Sequence, residues 1–141
     1  MKVVKVETNE QLQDAFTIRK KVFVEEQHVP YELEIDEFED DAAHFVIYDE
    51  DQPIGAGRFR FIDGNGKVER ICILPAFRGT GAGKRMMNAI EDYAHASEIN
   101  VLKLNAQTSA IPFYERLGYH IVSDEFMDAG IPHKTMKKEL E

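Results

Sequence analysis

"RGTGAGK", residues 78–84, places three glycines in seven positions, between the β-rich run "VERICIL" (68–74) with Pro75 and the run "RMMNAIEDYAHA" (85–96). Ala82, Met86, Ala89, Ile90, Tyr93 and Ala94 recur at helical spacing, so the stretch reads as strand, glycine loop, helix. Positions without side chains let backbone N–H groups converge on an anion, and the positive end of the following helix adds to the attraction. A Walker A loop needs a glycine where Arg78 stands and a hydroxyl where Arg85 stands, so that register fails. A dinucleotide fingerprint is met at Gly79 and Gly81 but has Lys84 in its third glycine position, and the loop does not open a βαβ chain. The register that remains is Arg78-x-x-Gly81-x-Gly83. For such a loop taken alone, a tight strand-to-helix turn is the competing reading.

Working outward, "KVVKVE" (2–7) alternates as a strand, and "TNEQ" (8–11) fits a capping box with Thr8 as cap and Gln11 reaching back. Leu12, Ala15, Phe16, Val22 and Phe23 then follow helical spacing up to Pro30. "YELEIDEFEDD" (31–41) carries seven acids between 32 and 41. It reads either as a solvated segment or as an acidic lip over a site for cationic acceptors. "AHFVIY" (43–48), "IGAGRFRF" (54–61) and "KVERICIL" (67–74) form an antiparallel meander, with "DGNG" (63–66) as a hairpin turn. "VLKLNA" (101–106) follows a helix that follows a strand, so it pairs in parallel through a right-handed crossover. "AIPFYERL" (110–117) is a short helix closed by Gly118, and "YHIVS" and "PHKTMKKE" are two final strands. The fold class is α/β: a mixed sheet with helices on both faces, one domain over residues 1–141.

The formal net charge of −9 argues against a nucleic-acid partner and is compatible with a cationic substrate. No apolar run has the length of a membrane span, and the start lacks the pattern of a signal peptide, so a cytoplasmic protein without a membrane partner is expected. The single cysteine, Cys72, suits that compartment. No His/Cys cluster has zinc spacing, so no metal is expected.

The Arg78-x-x-Gly81-x-Gly83 loop resembles the pyrophosphate loop of the GNAT superfamily of N-acetyltransferases. The resemblance runs along nearly the whole chain. It implies acetyl-coenzyme A as co-substrate, held by Arg78, Gly79, Thr80, Gly81, Ala82, Gly83 and Lys84. "VERICIL" matches that fold's fourth strand, which splays from the fifth and offers free backbone groups to the pantetheine arm; Ile71, Cys72 and Ile73 hold that place. "VLKLNA" matches the fifth strand, with Asn105 near the splay. "FYERLGY" (113–119) matches the motif whose tyrosine lies beside the coenzyme sulfur, here Tyr114. Glu26 and His28 fall where the family's first helix bends over the acceptor, which assigns them to substrate binding. "RKKVFVEEQ" (19–27) and "IPHKTM" (131–136) are similar to the small bacterial subgroup typified by ElaA and YjcF.

Acetyl transfer to an amine requires proton removal from the amine, stabilisation of the oxyanion and protonation of the departing thiolate. Tyr114 is the candidate acid; its alternative is a core tyrosine at the sheet edge. Glu69 is the preferred base, on the strand face expected to carry Ile71 and Ile73; its alternative is pairing with Lys67 or Arg58. His133 is the second candidate base, because histidine titrates near neutrality. His44 reads as structural, and a buried strand cysteine such as Cys72 as inert rather than acylated.

The leading expectation is therefore an N-acetyltransferase acting on a small-molecule primary amine (an amino-sugar phosphate, polyamine or amino acid) by direct attack in a ternary complex. A non-catalytic acyl-CoA sensor is the alternative. A homodimer is compatible with the sequence, which does not specify oligomeric state.

Overall fold

The computed structural model describes residues 1–140. The capping box forms as expected: the Gln11 amide donates to Thr8 Oγ1 at 3.1 Å and the Thr8 amide to Gln11 Oε1 at 3.3 Å. It starts α1 (Asn9–Arg19), after β1 (Lys2–Lys5). The helix then loosens into a π-helical stretch, Lys20–Glu26. Such wider turns concentrate at functional sites. A short α2 (Tyr31–Glu34) follows Pro30.

The meander consists of β2 (Ala43–Asp49), β3 (Gln52–Ile62) and β4 (Asn65–Ile73). Asp63 and Gly64 turn the β3–β4 hairpin, both with positive φ (51° and 81°). After the glycine loop come α3 (Ala82–Ala96), β5 (Val101–Gln107) and α4 (Ile111–Arg116). Gly118, at φ 97°, lets the chain leave α4. The last part departs from the sequence reading. "YHIVS" contributes only the two-residue β6 (His120–Ile121), and β7 (Phe126–Asp128) forms a hairpin with β8 (Ile131–Glu139). The signal for it is the tight turn at Ala129–Gly130, both at positive φ.

The strands make one sheet in the order β1-β2-β3-β4-β5-β8-β6, with β7 on β8. One face packs α3 and α4 over Phe59, Val68, Met86, Ile90, Leu102 and Leu104. The other packs α1 over Ala15, Ile18, Val22, Val46, Ala56 and Cys72.

Two irregularities shape the centre of the sheet. The parallel pairing of β4 with β5 covers only Gly66↔Leu102, Lys67↔Lys103 and Val68↔Leu104, after which the strands part. Within β4, Cys72 faces Ala56 but Glu69 faces Arg58, so Arg70 and Ile71 together oppose Gly57 in a bulge. Arg70 takes φ 56°, a region that costs any residue with a side chain about 1 kcal/mol or more.

The acidic segment 31–41 is divided: Glu32, Glu37, Asp40 and Asp41 are exposed, as a solvated stretch would be, while Glu34, Asp36 and Glu39 turn inward to arginines. Glu34 is buried and 2.7 Å from Arg19, itself fully buried. Glu39 lies 2.8 Å from Arg19 and 3.0 Å from Arg58, and Asp36 lies 2.8 Å from Arg58. Burial alone would raise the Glu39 and Asp36 carboxyls. The guanidinium groups outweigh it and hold both at about 2. A carboxylate depressed on folding lends stability that is complete above its unfolded value and is lost as pH falls towards its folded value. Urea unfolding at a series of pH values is therefore expected to show stability declining from about pH 5 towards pH 2. Glu39→Gln is expected to remove about 1–2 kcal/mol at pH 7, because Arg19 and Arg58 each lose one charged partner but keep Glu34 and Asp36.

Candidate active site

The parting of β4 and β5 opens a cleft of about 940 Å³ that reaches from the glycine loop to the β7–β8 hairpin. Its walls bring together most of the sequence-predicted residues: Glu69, Ile71, Cys72, Ile73, Arg78, Gly79, Gly81, Gly83, Lys84, Asn105, Tyr114 and His133. Thr80, Ala82, Glu26 and His28 are not on the walls.

At one end, α3 begins at Gly81, with no side chain capping its first turn. Its leading N–H groups therefore face the loop without an internal partner. Gly79 and Gly81 have φ of 77° and 89°, and a Cβ on either would meet nothing within 4 Å. Their need for glycine is thus conformational, and the space beside them is open. Gly83 is different: a Cβ there would come 3.1 Å from Phe113, so α3 and α4 approach through it. Ala82 is packed in the core, and the Thr80 hydroxyl donates to the Phe77 carbonyl at 2.5 Å. Either can meet a ligand only from the rim or through its backbone.

Arg78 donates from Nε to the Ile73 carbonyl at 2.9 Å and from both terminal nitrogens to Glu26, at 2.8 and 2.7 Å. Glu26, expected to bind the acceptor, is instead the counter-ion of the loop arginine. Its carboxyl is held below the usual range chiefly by those Arg78 hydrogen bonds. His28 is exposed, with φ 61°, at the turn that ends the π-helical stretch.

Midway along the cleft stands Tyr114, 8 % exposed and packed edge-on against Phe113 and Tyr119. Its hydroxyl makes no hydrogen bond among the described residues, and burial, with a smaller contribution from nearby Cys72, keeps it protonated well above the ordinary phenol range. The Cys72 thiol is pushed up to about 12, first by burial, so it is not a nucleophile near neutrality.

The bulge corrects the placement of Glu69. Val68 packs on the α3 face, and a Cβ on Gly57 would lie 2.8 Å from Ile71 Cδ1 and 3.2 Å from Met86 Sδ, which puts Ile71 on the α3 face as well. Glu69 therefore lies on the opposite, α1 face, alongside Arg58 and Arg60. It accepts from Arg60 Nε at 2.6 Å and Arg58 Nη2 at 3.0 Å, with Lys67 Nζ at 3.5 Å. Burial would raise its carboxyl, but Arg60, Arg58 and Lys67 together hold it below the usual range. A carboxylate with its lone pairs committed to guanidinium groups is a weak proton acceptor.

His133 faces Gln107 across β8 and β5. Its Nδ1 lies 2.7 Å from the Ile131 carbonyl, which only accepts, so Nδ1 is the donor there, and in the neutral ring the lone pair falls on Nε2. Phe126 stacks on the ring at 6.0 Å. The Asn105 amide oxygen accepts from Thr135 at 2.8 Å. His44 is buried away from the cleft, with Nε2 2.8 Å from the Glu39 carbonyl. No group of three or more potential metal ligands occurs among the described residues.

Residues 3–140 match the family model described as an acetyltransferase (GNAT) domain. The chain belongs to the GNAT acetyltransferases. It is 51 % identical over 140 residues to the Bacillus subtilis N-acetyltransferase YjcF, covering 99 % of this chain and 100 % of that one. Its fold superposes on Escherichia coli ElaA with a TM-score of 0.85 at 25 % identity, covering 98 % of this chain and 99 % of the other. At 14 % identity and a TM-score of 0.79, it shares its fold with an aminoglycoside 6′-N-acetyltransferase complexed with coenzyme A, covering 99 % and 97 % of the two chains. The GNAT chain is thus an acetyltransferase with a mixed sheet opened between β4 and β5.

Glu26→Gln leaves the Arg78 guanidinium free for an anionic ligand. Calorimetry is expected to show coenzyme A binding tighter by roughly two- to fivefold, the range of an exposed ion pair. Arg78→Gln is expected to weaken it.

Proposed function

We propose that this chain is an acetyl-CoA-dependent N-acetyltransferase that transfers its acetyl group directly to the primary amine of a small molecule. The observation that carries this reading is the single cleft joining the uncapped start of α3 to Tyr114 and His133. The glycine loop, with Arg78 and Lys84, would take the diphosphate. The open edges of β4 at Ile71–Ile73 and of β5 at Asn105 would take the pantetheine arm, because strand edges carry N–H and C=O groups in need of partners.

In the ternary complex, the acceptor ammonium gives a proton to His133 Nε2, and the freed lone pair attacks the thioester carbonyl carbon. The C–S bond breaks, the thiolate sulfur takes the Tyr114 hydroxyl proton, and the nitrogen loses its second proton. Tyr114 then regains a proton, so one proton in total passes to solvent. His133 replaces Glu69 as the proposed base because its nitrogen is unengaged, whereas the Glu69 oxygens are shared among cations. The family match runs over residues 3–140, and Tyr114, with its hydroxyl unengaged and protonated, favours turnover over coenzyme sensing. A site for soluble acceptors fits a cytoplasmic enzyme; no helix of the described residues is long and apolar enough to cross a membrane.

Thiol release with acetyl-CoA and a panel of amines tests the reading; release with none of them rejects it. Tyr114→Phe is expected to lower kcat by roughly 10²-fold while the coenzyme dissociation constant stays within error, as general acid catalysis requires. His133→Ala is expected to lower kcat/KM near neutral pH, with partial recovery at higher pH as free amine accumulates. Glu69→Gln should show no such recovery; a pH–rate profile that recovers in Glu69→Gln alone would return the base to that residue.

A further inference from the structure

Resting on the acetyltransferase reading, we propose that the acceptor is a monoamine on an apolar body, an alkyl- or arylalkylamine, and that Asp128 holds its ammonium group beside His133. The acceptor side of the cleft is its α1 face. Gln107, which pairs with His133, donates to Gln27 Oε1 at 2.8 Å, just beyond the π-helical stretch. That side is walled by Val22, Phe23, Val29 and Leu33, an apolar lining suited to a hydrocarbon body.

The charge on this side selects among amines. Three carboxylate side chains belong to residues lining the cleft: Glu34, Glu69 and Asp128. Glu34 is neutralised by Arg19 at 2.7 Å, and Glu69 by Arg60 at 2.6 Å and Arg58 at 3.0 Å. Asp128 makes no ion pair and no side-chain hydrogen bond among the described residues. Its place is fixed by the hairpin. Phe126 pairs with His133 and Asp128 with Ile131, so all four side chains share one face. Asp128 thus stands about 7 Å along the strand from the imidazole row, near enough to hold an ammonium that His133 deprotonates directly or through one water.

The cations on the same side argue against anionic acceptors. Arg70 is committed to the Leu33 and Glu34 carbonyls, at 3.3 and 3.1 Å, and to Asp36 at 3.2 Å. Lys67 lies 3.5 Å from Glu69, in the row of Lys103 at the closed end of the parting. Gln107, in the His133 row, is four residues further along β5, about 13 Å away. An amino acid carries its carboxylate next to its amine, and an amino-sugar phosphate carries its phosphate on the same ring, so neither spans that distance. A polyamine would bring a second ammonium towards Arg70 or Lys67 with no carboxylate left to receive it.

The test is steady-state thiol release by the full chain with acetyl-CoA and 2-phenylethylamine, hexylamine, spermidine, lysine or glucosamine 6-phosphate. The two apolar amines are expected to give the highest kcat/KM. Asp128→Asn should raise their KM roughly two- to fivefold, the range of an exposed ion pair, while kcat moves less than twofold. Leu33→Asn should narrow the advantage of the apolar amines. Spermidine, lysine or glucosamine 6-phosphate ranking above both apolar amines overturns the acceptor class and leaves the acetyltransferase intact. An unchanged KM in Asp128→Asn, with circular dichroism matching the wild type, overturns the role of Asp128. Release with no amine overturns the enzymatic reading itself.

Discussion

Strands β4 and β5 stay paired for only three residues before they part at Val68 and Leu104, and every functional element takes its position from that parting. Beyond it both strands have backbone donors and acceptors without sheet partners, and buried groups of that kind must be satisfied. A bulge at Arg70, in the pairing of β4 with β3, follows just after the parting. Its extra residue breaks the β4 alternation, so Ile71 and Ile73 stay on the α3 face while Glu69 turns to the other. The start of α3 sits at one end of the opening and the β7–β8 hairpin at the other, with Tyr114 between them.

The wall opposite α3 is held by charge. Arg19 and Arg58 are fully buried, and each is surrounded by carboxylates from residues 34–39. Buried pairs of this kind add little net stability but make the arrangement unique, because removing one partner strands the other. Here they fasten α2 and the following acidic segment onto β3 and β4, while Arg70 grips the carbonyls at the end of α2. The cost falls on Glu69, which becomes part of the scaffold instead of a free base. The loop shows the same economy of charge: Arg78 is paired with Glu26 through both terminal nitrogens.

Local patterns in the chain proved legible where a residue's neighbours in sequence are also its neighbours in space. The Thr8–Gln11 box, the Asp63–Gly64 turn, the α3 stripe and the Gly118 exit from α4 all follow from such short-range rules. The hairpin at Ala129–Gly130 passed unrecognised because Ala129, unlike asparagine or aspartate, is an uncommon residue for a left-handed turn position. The bulge was hidden for a similar reason: Arg70 occupies a conformation usually left to glycine, so strict alternation placed Glu69 on the wrong face.

By itself the sequence determined the element order, the glycine loop before a helix, and the aromatic and titratable residues available for chemistry, because periodicity and turn chemistry are written in adjacent residues. Tertiary structure alone decided which of those residues are free to act. Seven acids in one run look alike as letters. Distance to a guanidinium makes Glu34, Asp36 and Glu39 structural, and the same measure separates Glu69, crowded by three cations, from His133, with one nitrogen unengaged. Charge compensation falls off with distance in space, and ion-pair partners in this fold lie up to 52 residues apart along the chain.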